Sequence, residues 1–128
     1  MRSGRVKKDS IHEERIKEIR SFIEMWLAYA KAFKRAFKGA EITREDENEF
    51  LNLKSNLARR HAILLEALQR DYIGGESIRP ILSQTVTLSH VNRIRPEHYE
   101  KIERSWHETY IHLNATIGHL RYLLDEGK

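Results

Sequence analysis

A chain of 128 residues, 40% apolar and 33% charged, is long enough to bury one core and too apolar to remain disordered. Its 6 glycines and 2 prolines are too few for the many turns of an all-β fold, and the absence of cysteine excludes disulfides, thiolate metal sites and cysteine nucleophiles. The formal charge of +4 resides in Arg2, Arg5, Lys7 and Lys8, because residues 9–128 balance 19 cations against 19 anions.

Residues 1–8 therefore read as a flexible basic arm of the kind that grips phosphate backbones, ahead of a bundle domain over 9–128. No apolar stretch follows the arm, so no signal peptide is expected. The longest run free of strongly polar residues, Met25 to Ala30, is far short of the ~20 residues a membrane span needs. A cytoplasmic chain without membrane contact is the expectation.

The first periodic segment opens at Asp9-Ser10, where Ser10 and Glu13 have capping-box spacing. Its apolar positions, Ile16, Ile19, Phe22, Ile23, Trp26, Ala30, Phe33 and Phe37, recur at steps of three and four, the signature of one helical face. Gly39 is the stop signal. A second helix opens at Thr43, with Glu45, Asp46, Glu47 and Glu49 favouring the positive end of its dipole. Its stripe is Phe50, Leu53, Leu57, His61, Leu64, Leu68 and Tyr72, ended by Gly74-Gly75.

The third segment, Ser77 to about Asn92, is half as long. Ile78, Ile81, Leu82, Thr85, Leu88, Ser89 and Asn92 suit a helical face, and Pro80 is tolerable in a first turn. Strand-like alternation from Thr85 to Val91 is set aside, because no second strand candidate exists to satisfy its backbone. The fourth helix opens at Pro96 and carries the cleanest stripe, Tyr99, Ile102, Trp106, Tyr110, Leu113, Ile117, Leu120 and Leu124, with Gly127 as its close.

Short links between long helices force antiparallel neighbours. The expected fold is all-α: a single-domain antiparallel four-helix bundle, up-down-up-down, with a short third helix. Its core should centre on Phe22, Trp26, Phe33, Leu57, Leu64, Trp106, Leu113 and Leu120. The short third helix leaves part of the long apolar faces bare, and a homodimer formed through that face is expected to cover them.

Seven histidines call for a test of metal and acid–base chemistry. Glu108 and His112 are one helical turn apart, and His112 and His119 share a flank of the fourth helix. No Glu-x-x-His or His-Glu-x-x-His occurs, however, so no metal is expected. Phosphate-loop, dinucleotide and nucleophile-elbow signatures are missing too, and no cofactor is expected. Lys31, Lys34, Arg35 and Lys38 form a basic stretch that could meet nucleic acid. The plainer expectation is a solvated face complementing the helix dipole and the acidic start of the second helix.

Arg93 and His98, with four residues between them at the mouth of the fourth helix, are the only candidate catalytic pair. The spacing resembles the Arg…His motif of HEPN-type ribonucleases. That resemblance implies a cation and a proton carrier flanking a scissile phosphate at a dimer interface. Ile94 follows the arginine where a polar residue is usual, Pro96 falls inside the motif, and Tyr99 directly follows the histidine. These departures favour a plain helix-start histidine. The leading expectation is a non-enzymatic, self-associating interaction or scaffold module. The alternatives are nucleic-acid binding through the basic arm and HEPN-like RNA cleavage.

Overall fold

The protein, described from a computed structural model over residues 2–85 and 87–126 and over the side chains from Ile11 onward except Asn92, is built from four α-helices and has no strand among the described residues. They are α1 (Arg2–Phe37), α2 (Arg44–Leu68), α3 (Ile78–Gln84) and α4 (Pro96–Glu126). Short 3₁₀ turns at Gln69–Asp71, Gly75–Ser77 and Ser89–Arg93 complete the third quarter of the bundle.

Contacts between named residues set the directions. Tyr29 stacks on Phe50 and Arg60 donates to the Ser21 hydroxyl, so α2 runs antiparallel to α1. Phe37 stacks on Tyr99 while Trp26 meets Trp106, so α4 is also antiparallel to α1. α3 lies against both α2 and α4, which closes the four-helix square.

The core is aromatic towards the α1 C-terminus and aliphatic beyond it. Phe33 and Trp106 meet edge to face with centroids 5.1 Å apart, and Tyr29 lies over Phe50 at the same separation. All eight expected core residues are buried. Tyr29 and Ala36 are fully buried as well, although both lie off the expected stripe. The reason is geometric: α1 has α2 on one side and α4 on the other, and so buries a wider arc than a single stripe. Tyr110 departs the other way, standing exposed beside the core.

Three boundaries differ from expectation. The backbone of residues 2–8 is helical and continuous with α1, so the helix begins before the expected Asp9-Ser10 and the Ser10/Glu13 spacing lies inside it instead of starting it. Arginine and lysine are good helix formers, and Gly4 is the one residue of this stretch with a strongly unfavourable propensity. The side chains of Arg2, Arg5, Lys7 and Lys8 lie outside the described ones, as does Gly127. α2 begins as expected, with Thr43 and Asp46 forming a reciprocal capping box. It stops at Leu68, short of Gly74, where Gln69 takes a positive φ of 49° and turns the chain back over the helix end.

The third helix is the largest correction. α3 has only 7 residues, and the chain then leaves the helix and re-forms a 3₁₀ turn at Ser89–Arg93. Local side-chain hydrogen bonds compete with the helix there. Thr85 Oγ1 donates back to the carbonyls of Ile81 and Leu82, while Thr87 Oγ1 accepts from the His90 amide. Glu47 of α2 accepts from the Leu88 amide at 3.0 Å and the Ser89 amide at 2.7 Å, and from the Ser89 hydroxyl, capping the 3₁₀ turn. Ser89, expected on the inner face, is accordingly exposed, and Val91 is buried in its stead.

Candidate functional site

The histidine flank of α4 is absorbed by the turn after α2. His119 Nε2 lies 2.9 Å from an Asp71 carboxylate oxygen. Thr116 Oγ1 accepts from the Ile73 amide and donates to the His112 carbonyl. The His112 ring lies directly on Gly74, whose φ of 69° and missing side chain make room for it. Glu108 points to solvent and joins neither histidine. Among the described residues no group of three or more His, Asp or Glu side chains is placed to hold a metal ion.

Arg93 ends the 3₁₀ turn and His98 sits in the first turn of α4. Both are exposed, and they make no hydrogen bond to one another. The basic stretch of α1 is divided between two grooves. Arg35 faces the start of α2, where it helps, behind two hydrogen bonds from Thr43, to hold the Asp46 carboxyl below the usual carboxylate range. Lys31 and Lys34 face α4, and Lys38 stands in solvent after the helix end.

The groove that Lys31 and Lys34 border is a depression of about 750 Å³ between α1 and α4. Trp26, Ala30 and Trp106 floor it, with the small Ala30 side chain providing depth. Leu27 is 49% exposed on one rim and Tyr110 is 37% exposed on the other. The α1 wall carries Lys31 and Lys34, whereas the α4 wall carries Glu100 and Glu103 with Arg104 and His107 beside them. None of Lys31, Lys34, Glu100 and Glu103 closes an ion pair among the described residues. Burial, reinforced by Glu103, raises the Tyr99 phenol well above its ordinary pKa.

A second depression, about 520 Å³, lies between α2 and α3. It borders the short third helix, but it is not the bare apolar face expected there. Ile78, Ile81, Leu82, Leu88 and Val91 are all buried within the chain, and the cleft itself carries Lys54, His61 and Arg79. His61, on the expected stripe of α2, is only 6% exposed, and its Nδ1 lies 3.1 Å from the Tyr72 hydroxyl. Burial, and then the Arg79 charge, pull the His61 pKa below its ordinary value, which favours the neutral ring. Sequence reasoning did not single out Lys54 or Arg79. The available signal was the pair Ala58 and Ala62, small residues on an α2 face that also carries Lys54 and His61.

No helix among the described residues is long and apolar enough to cross a membrane. Comparison with known proteins finds no family model, no curated protein and no solved structure that matches this chain.

Proposed function

We propose that this chain is a non-enzymatic helical-bundle interaction module that associates with a second copy of itself through the α1/α4 groove. The observation that carries this reading is the exposed pair Leu27 and Tyr110 on the rims of a groove floored by Trp26 and Trp106. Large aromatic and aliphatic side chains around a pocket are the usual anchors of protein interfaces.

Charge favours a second copy as the occupant. The cationic wall of α1 and the carboxylates of α4 border one stretch of the groove. A two-fold axis running along it brings the Lys31/Lys34 wall of one copy against the Glu100/Glu103 wall of the other, a self-complementary contact of the kind two-fold dimers require. Arg104 offsets part of the acidic wall. The α2/α3 cleft is less suited to self-association, because a two-fold contact there would bring like charges together.

Size-exclusion chromatography with light scattering, run with and without a generic RNA, tests the proposal. A dimer is expected without RNA, and Leu27→Glu with Tyr110→Glu should return it to a monomer. Lys34→Glu should weaken the dimer, and adding Glu103→Lys should restore it. A strictly monomeric chain at high micromolar concentration overturns the reading. Mass gained only with RNA, and lost on deleting residues 1–8, replaces it with nucleic-acid binding through Arg2, Arg5, Lys7 and Lys8.

A further inference from the structure

The cleft between α2 and α3 has the chemistry of a binding site. Its volume of about 520 Å³ lies within the range of small-molecule pockets, about 300–1,000 Å³. Ala58, Ala62, Leu65 and Leu82 give it apolar walls, and the two alanines account for its depth. Its polar groups are Lys54, His61, Arg79 and Ser83, and no carboxylate lines it.

A part-buried ammonium beside apolar surface without a counter-charge is unfavourable in the free protein, and Lys54 is in that position while Arg79 lines the same cleft from an exposed site. Lys54 is half-buried, and desolvation lowers its ammonium pKa. Arg79 stands close enough to His61 for its charge to add to burial in lowering the ring's pKa. Neither Lys54 nor Arg79 forms an ion pair with a carboxylate among the described residues. A bound anion would supply the missing charge.

His61 lines the cleft beside these cations. Burial keeps the Tyr72 phenol protonated, so the phenol can donate to His61 Nδ1. In that tautomer the single ring proton resides on Nε2.

We infer that the α2/α3 cleft binds a small organic anion, a carboxylate or phosphate-monoester headgroup on a short apolar body. Lys54 and Arg79 take the headgroup, and the alanine and leucine walls take the body. The guanidinium fork of Arg79 matches two oxygens of either headgroup, and the Lys54 ammonium acts as a point charge beside it.

The test titrates the full chain with hexanoate, hexyl phosphate and neutral hexanamide, followed by calorimetry and by amide chemical shifts. At least one anion is expected to bind at a single site, with shifts centred on Lys54, His61 and Arg79 and a thermal midpoint that rises with ligand concentration. The ratio of the two affinities identifies the headgroup. Hexanamide should bind about ten-fold more weakly or less, the size of one charge-assisted hydrogen bond. Lys54→Met and Arg79→Gln, each shown folded by circular dichroism, should each weaken anion binding about ten-fold, while Lys54→Arg should retain it. Arg79 is exposed, so its replacement leaves the core intact. Four results would each overturn the inference: neither anion binding at millimolar concentration, hexanamide matching the anions, affinity unchanged in both variants, or shifts centred elsewhere.

Discussion

The indole N–H of Trp26 donates to the main-chain carbonyl of Trp106 at 3.2 Å, a buried hydrogen bond that joins α1 to α4 across 80 residues of chain. It sets the register of these two helices where their aromatic side chains interlock. Packing supplies most of the energy, since both side chains are at least nine-tenths buried.

Trp106→Ala should therefore destabilise the fold by about 3–5 kcal/mol in urea unfolding, as loss of a large buried aromatic does. Tyr29→Phe should act in the opposite direction. The Tyr29 ring is fully buried between Trp26 and Phe50, but its hydroxyl has no hydrogen-bond partner among the described residues. Removing an unsatisfied buried hydroxyl should raise stability by about 1 kcal/mol. A loss of stability in Tyr29→Phe would show that the hydroxyl is satisfied in solution.

Two positive-φ positions shape the turn after α2, and they should respond with opposite signs. Gly74 has a φ of 69°, and any Cβ there would collide with the His112 ring. Gly74→Ala should cost about 1–3 kcal/mol, and truncating His112 in the same chain should recover part of it, a coupling measured by a double-mutant cycle. Gln69 has a φ of 49°, where a side chain is strained. Gln69→Gly should stabilise by about 0.5–1 kcal/mol.

Glu47 holds the end of the third segment. Burial works to raise its pKa, but hydrogen bonds from the Ser89 hydroxyl and from the Ser89 and Leu88 amides outweigh it, and the net shift is downward. Glu47→Ala should cost about 1–2 kcal/mol and speed hydrogen exchange at Leu88 and Ser89 first. The sign of the pH effect follows from the lowered value. The contribution is present above the ordinary glutamate pKa and is lost as pH falls through the folded one. In Glu47→Ala that acid-side loss should be smaller.

His61 adds a second pH dependence at higher pH. Its folded pKa lies below its unfolded value, so in the interval between them the unfolded chain binds more protons. Stability should be flat in this residue's contribution above the ordinary histidine range and should fall as pH drops below about 6.5. His61→Gln should remove this component. Urea midpoints measured from pH 5 to pH 8 check it, and a wild-type curve that follows His61→Gln throughout would show that His61 protonates freely in the folded chain.

Periodicity alone determined the all-α class, the position of the long helices and the eight central core residues. Steps of three and four place apolar side chains on one face whatever the partner, so a local pattern carries that information. It also placed His61 inside the stripe of α2, where it is buried. The tertiary structure decided what local pattern leaves open. Tyr29 and Ala36 are buried because two neighbours flank α1, and Tyr110 is exposed because no described residue covers the α4 side of the groove. The third helix breaks after Gln84 because hydroxyls of Thr85 and Thr87 and the distant carboxylate of Glu47 satisfy its backbone in another way. Lys54 and Arg79 meet at one cleft only because the turn after α2 folds the chain back onto that helix, with 24 residues between the two. Which unpaired charges share a cavity depends on how helices dock, and no spacing along a single helix encodes it.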